Sequence, residues 1–160
     1  MTSILCDTSV VVKWFHEQGE SEVGPSRAIL DEHAAGRLTA TVLDLTVYEL
    51  GNVTARPLGL SGDRIAEILD RLELICDEGL RLSPAARGDA ARLAVDNRLT
   101  FHDAAYWAVA REREMALVTA DAELLRVGAG LSPTAFVAAH GQVRRSKGSS
   151  VMGPSASTTR

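Results

Sequence analysis

Short apolar runs of strand length alternate with segments of helical period from the first residues to about position 126, and this alternation most constrains the fold. A strand is expected over residues 3–6, followed by a helix on which Val10, Val11, Trp14 and Phe15 share the apolar positions. Pro25 and Ser26 open a second helix that ends at Gly36, and residues 38–42 form the next strand. Asp44 caps a helix over 45–56, which Pro57 and Gly59 break. Asp63 starts another through Cys76, with Ile65, Ile68, Leu69, Leu72 and Ile75 on one face. A short strand is expected at 80–82, helices from Ser83 toward Asn97 and from His102 to about Arg113, a strand at 115–119 and a short helix after Asp121. Phe136 and Val137 are expected to add an edge strand. Strands alternating with helices in this way specify an α/β domain, a three-layer α/β/α sandwich with a mostly parallel central sheet.

The expected organisation is one domain over residues 1–143 and a disordered basic tail over 144–160, because the tail is serine, glycine, threonine and base without apolar period. The 160 residues carry a net charge of −4, but the tail holds four bases and no acid. Residues 1–143 therefore carry 13 basic and 21 acidic residues, a net of −8. Such a domain repels polyanions in bulk, so any nucleic acid it binds must be admitted by local arginines or by metal cations. No apolar run reaches the length of a membrane helix and no basic leader precedes the first strand, so a soluble cytoplasmic protein is expected. Cys6 and Cys76 lie in apolar runs without metal or redox spacing and are expected to be reduced core residues. The absence of a G-x-G-x-x-G or G-K-[ST] run argues against nucleotide-binding classes, and Ser9 breaks the D-x-D start of a phosphoaspartyl phosphatase.

Four acids stand where a carboxylate has little ordinary reason to be. Asp7 and Asp121 each follow an apolar strand and precede a helix, at the carboxyl edge of a parallel sheet where ligands bind. Helix capping accounts for either alone. Glu49 lies mid-helix between Leu45 and Val53, on an apolar stripe or at its margin. Asp103 stands in His102-Asp103-Ala104-Ala105-Tyr106-Trp107-Ala108, as a cap or first-turn acid or as a member of a pocket. Four such acids converging would need a divalent cation to offset their repulsion. Histidines 16, 33, 102 and 140 show no metal spacing and are expected to be solvated or capping, and Tyr106, Trp107, Trp14 and Phe15 are expected in the core.

The segments Ile4-Leu5-Cys6-Asp7-Thr8-Ser9-Val10, Tyr48-Glu49-Leu50-Gly51-Asn52-Val53, Asp103-Ala104-Ala105-Tyr106-Trp107-Ala108 and Leu117-Val118-Thr119-Ala120-Asp121 resemble, in order, those of the PIN-domain ribonucleases, and within them the VapC-like toxins of type II VapBC toxin–antitoxin pairs. The resemblance implies a PIN-like fold and a metal-dependent endoribonuclease. It places the catalytic, metal-holding acids at Asp7, Glu49, Asp103 and Asp121, with Ser9 and Thr119 as auxiliary hydroxyls. Glu123 stands ready to share the task of Asp121. Mg²⁺ or Mn²⁺ is the implied cofactor, since hard oxygen ligands suit those ions. The implied partners are RNA as substrate, a cognate VapB-like antitoxin and a second copy of the chain in a homodimer, with no membrane. The competing reading is a catalytically silent PIN-like module that binds RNA or protein.

Overall fold

The computed structural model describes residues 1–148, which fold as three strands and eight helices: β1 (Thr2–Cys6), α1 (Thr8–Phe15), α2 (Val23–Ala34), β2 (Leu38–Thr41), α3 (Leu45–Ala55), α4 (Gly62–Cys76), α5 (Pro84–Asn97), α6 (Phe101–Glu112), β3 (Ala116–Val118), α7 (Ala122–Arg126) and α8 (Pro133–Gly148). β1 is the central strand of a parallel sheet ordered β2-β1-β3, pairing Ile4 with Ala40 on one side and with Ala116 on the other. Its side chains alternate between two cores. Ile4 and Cys6 join a core with Val10, Ile29, Leu50, Ile68, Leu72 and Phe136, which come from α1 to α4 and α8. Leu5 joins the other, with Ala90, Ala104, Val109, Leu117 and Leu124 from α5, α6, β3 and α7. A strand covered on both faces must be apolar at successive positions, which is why Ile4-Leu5-Cys6 reads as an unbroken run.

Four features differ from expectation. Residues 80–82 form no strand; Leu80 makes a single parallel bridge to Leu43. Phe136 and Val137 are not an edge strand but lie in α8, whose start is set by Ser132 and Pro133. The Ser132 carbonyl accepts from Phe136 N at 2.9 Å and Pro133 tolerates the first helical position. Phe136 is buried and completes the α2 side of the core, a helical contact that a two-residue apolar run does not reveal. α8 also carries the backbone as helix through Gly148, past the point where the domain was expected to end, and residues 149–160 of the expected tail lie outside the described residues. At α4 the cap is Ser61, whose hydroxyl accepts from Arg64 N at 3.3 Å, and Asp63 sits in the first turn.

Beyond β3 the chain returns at Leu131, which accepts from Thr119 N and donates to Leu117 O, both at 2.9 Å. That approach requires glycine at 130, because a Cβ there would lie 2.5 Å from Leu117 O. Gly130→Ala is therefore expected to cost about 1–3 kcal/mol in denaturant unfolding, the range for forced overpacking. Gly141→Ala, inside α8 where an added Cβ meets nothing within 4 Å, serves as the control and should match or exceed the wild type in stability. Equal stability of the two variants would contradict this reading.

Candidate active site

The carboxyl ends of β1 and β3 lie side by side, so the turns that follow them meet. Asp7 N donates to Val118 O at 3.2 Å, and Ser9 Oγ accepts from Ala120 N at 2.8 Å. Asp7 is 4% exposed. It occupies the backbone capping position of α1, yet its side chain makes no capping bond. Ser9 donates to its Oδ1 and Thr119 to its Oδ2, each at 2.5 Å. Burial pushes its pKa up to about 6, and the charge of Asp121 adds to the rise while the two hydroxyls oppose it. Thr119 also accepts from Asp121 N at 2.9 Å, so one hydroxyl couples two of the four acids.

Asp121 caps α7, its Oδ1 accepting from Glu123 N at 2.9 Å and Leu124 N at 3.0 Å. Thr100 caps α6 by accepting from Asp103 N at 3.1 Å and donates to Asp103 Oδ2 at 2.6 Å. Both acids thus take part in the caps that the sequence allows, and both also line the cavity. The Asp103 carboxyl is held above its ordinary range by burial, with the charges of Asp121 and Glu49 adding to the effect. Glu49, one face of α3, is half-buried rather than sealed in the core. Its Oε2 accepts from Thr8 Oγ1 at 2.6 Å and Tyr106 Oη at 2.7 Å. Tyr106 Oη lies 2.9 Å from Thr8 Oγ1 and 2.8 Å from Thr46 Oγ1, so three buried or half-buried hydroxyls fix this carboxylate. Burial, with the Glu49 charge beside it, holds the tyrosine well above its ordinary range and therefore as a protonated donor.

Asp7, Glu49, Asp103 and Asp121 line one cavity of about 470 Å³, together with Thr8, Ser9, Asn52, Tyr106 and three further charged or titratable side chains, Lys13, Glu20 and His102. Glu123 is not among them: its carboxylate is held by Arg126 at 2.7 Å. His102, expected to be solvated or capping, has Nδ1 3.4 Å from Glu49 Oε1. Tyr106 is core as expected, but its hydroxyl serves Glu49. Thr8, readable from sequence as a turn hydroxyl, does the same. Lys13 and Glu20 gave no signal beyond the rarity of lysine in this chain, which has Lys13 and Lys147 alone. The cysteines are buried and free, and burial holds the Cys6 thiol well above its ordinary range and pushes Cys76 up to about 12.

Chemically, the cavity offers carboxylate, amide and hydroxyl oxygen, the donor set of a hard divalent cation, with no thiolate or histidine pair beside it. Among the described residues no group of three His, Cys, Asp or Glu side chains is drawn together as a ready-made ion cage.

Comparison with known proteins agrees with this arrangement. The family model described as PIN domain matches residues 4–130. The chain is 33% identical over 95 residues to Exonuclease VapC9 of Pyrobaculum aerophilum, a match covering 59% of this chain and 71% of that protein. A crystal structure from Pyrobaculum aerophilum superposes with a TM-score of 0.64 at 23% identity, covering 88% of this chain and 90% of that one. VapBC2 of Rickettsia felis, bound to a DNA fragment from its promoter, superposes with a TM-score of 0.62 at 14% identity, covering 82% and 97% respectively. The two structural matches are likenesses of fold.

Proposed function

This chain belongs to the PIN-domain family and is VapC-like within it, and from that premise we propose that it is the toxin of a type II toxin–antitoxin pair, a cytoplasmic Mg²⁺- or Mn²⁺-dependent endoribonuclease acting through Asp7, Glu49, Asp103 and Asp121. The observation that carries the proposal is the meeting of these four acids, from four separate segments, along one cavity whose hydroxyls are spent on orienting them. A divalent cation held there supplies charge neutralisation at a phosphodiester and lowers the pKa of a bound water. Ser9 and Thr119 aim the two oxygens of Asp7, while Thr8 and Tyr106 aim Oε2 of Glu49. Asp103 and Asp121 keep their orientations through the caps of α6 and α7.

The printed name of the Pyrobaculum aerophilum relative is that of an exonuclease, so the mode of attack needs its own test. Covalently closed single-stranded RNA, which has no ends, is the substrate of choice. Linearisation of the circle in Mn²⁺ supports endonucleolytic cleavage, and degradation of the linear form alone makes the protein an exonuclease. Retention of both intact with measurable binding supports the silent RNA-binding module. Tyr106→Phe tests the support of Glu49: it removes one charge-assisted hydrogen bond and leaves Thr46 Oγ1 without that partner. Cleavage is expected to fall about tenfold or more, since a hydrogen bond to a charged group contributes about 1.5–3 kcal/mol. Circular dichroism should show the fold retained, and unchanged cleavage would remove Tyr106 from the site.

The proposed antitoxin would act on the same chemistry. An arginine or lysine inserted among the acids makes charge-assisted pairs in place of a cation. The apolar remainder of such a peptide has a surface in Tyr48 on α3, 72% exposed and lining a second cavity of about 420 Å³, and in Leu74 on α4, 84% exposed. Mn²⁺ titrated into the purified pair should weaken it, and an affinity unchanged by excess metal would exclude insertion into the acidic cavity. The proposed assembly includes a homodimer of this chain. Among the described residues no helix is long and apolar enough to cross a membrane.

A further inference from the structure

Lys13 is the anomaly of the cavity. Its side chain is 5% exposed, on α1 between the buried Val12 and Trp14, and its ammonium sits 2.6 Å from Glu20 Oε2. Both residues line the cavity that holds the four acids. Burying an ammonium is costly, and a buried ion pair is commonly no more stabilising than apolar side chains of the same volume. Support of the 16–22 loop does not explain it, because that loop is already tied on both sides. Arg27 holds Glu17 at 2.8 Å and the Lys13 carbonyl at 3.1 Å, and Glu22 accepts from Thr134 Oγ1 at 2.8 Å. The Glu20 carboxylate is the more accessible partner at 25% exposed, so it is the one able to swing out to water. In a domain region of net charge −8, a lysine at the wall of the acidic cavity is the nearest fixed positive charge available to an entering phosphate.

We propose that Lys13 is a substrate-binding residue that takes a backbone phosphate of the RNA strand, with Glu20 as the counter-ion it exchanges when the strand enters. The inference rests on the ribonuclease reading. Lys13 presents a point charge and no base-reading group, so it would set the register of the strand in the cavity and contribute no sequence preference. An exchangeable counter-ion also keeps the ammonium paired while the cavity is without RNA, which avoids an uncompensated buried charge.

The test compares the full-length wild type with Lys13→Met, Lys13→Arg, Glu20→Gln and the Lys13→Met/Glu20→Gln double variant on one single-stranded RNA oligonucleotide in Mn²⁺. Lys13→Met should raise KM about tenfold with kcat within about twofold, and lower the slope of log KM against log salt by about 0.7, the value for one phosphate on a single strand. Lys13→Arg should restore most of the KM. Glu20→Gln should lower KM by freeing the ammonium, and that gain should vanish in the double variant, which separates it from a general loss of repulsion. If Lys13→Met and Glu20→Gln both raise KM and both lower Tm, the pair is a structural brace and the proposal is overturned. It is equally overturned if the salt slope of a folded Lys13→Met protein is unchanged. Should Lys13→Met fail to fold, Glu20→Gln against wild type still decides the matter: a lower KM is expected, and an unchanged or raised KM overturns the proposal. Fluorescence anisotropy of the same RNA in Ca²⁺ gives a readout without turnover. A wild type that cleaves nothing defeats the ribonuclease reading, whereas equal RNA affinity of wild type and Lys13→Met defeats the anchor.

Discussion

Asp7→Asn is expected to reduce RNA cleavage by about 10²–10³-fold, the usual cost of removing one preorganised electrostatic group from an active site, while making the metal-free protein more stable. The two effects have one cause. Asp7 is buried and its carboxyl is pushed up from 3.8 to about 6 by burial and by Asp121. A carboxyl whose folded pKa lies above its unfolded value contributes its full stability below about pH 4 and loses it as pH rises through about 6. Above that window the ionised group costs the fold roughly 3 kcal/mol, from about two pKa units at 1.36 kcal/mol each. Asparagine removes this cost at constant size, and its Oδ1 can still accept from one of the Ser9 and Thr119 hydroxyls, but the hydroxyl facing its Nδ2 now donates and must turn to accept. The net gain should be about 1–2 kcal/mol, a rise in Tm of about 2–6 °C at pH 7.5 in chelator. The wild-type and variant stability curves should converge as pH falls below 4. An unfolded variant would make Asp7 a structural residue and contradict its assignment to the site.

The layers and the acids were legible in the sequence because each depends on local pattern. Ile4-Leu5-Cys6 is apolar at consecutive positions since β1 is covered on both faces, and Asp7 follows it because that is where a parallel strand ends. Ser83-Pro84 announces α5 by chemistry confined to a few residues, whereas the helix expected from His102 in fact starts at Phe101 behind the cap Thr100. What escaped depends on distant pairing. The hydroxyl of Tyr106 reaches Glu49 across 57 positions of sequence and Thr8 across 98, and no periodicity encodes those meetings. Nothing in the sequence marks Lys13 as buried; the packing of α1 against α2 and α3 decides it. Phe136 and Val137 were misread for a related reason: two apolar residues satisfy strand and helix alike, and the contact of α8 with α2 selects helix.

Glu123 illustrates the limit of spacing as a guide to chemistry. It lies two residues from Asp121, but one turn of α7 points it at Arg126, with two guanidinium nitrogens within 2.9 Å of its Oε2. The acid that caps the helix remains at the cavity, and the acid inside the helix is turned outward. The same logic keeps His102 beside Glu49 while Asp103, the next residue on α6, faces the other acids.

The proposed metal dependence rests on the charge of the cavity. Asp7 and Asp103 are each raised by burial first and then by neighbouring carboxylates, Asp121 in both cases and Glu49 for Asp103, so the acids repel one another without a cation. Lys13 is already paired with Glu20 and leaves the four acids uncompensated. On the proposed reading, a phosphodiester entering that field would need a divalent ion both to approach the acids and to react. The decisive measurement is the cleavage rate of single-stranded RNA by the full chain, stripped with EDTA and then titrated with Mn²⁺ or Mg²⁺, in a preparation free of contaminating ribonuclease. The account predicts cleavage below about 1% of its maximum in chelator, consistent with loss of a metal worth several kcal/mol to the transition state, and full recovery on adding back the ion. Undiminished cleavage in excess EDTA would contradict it.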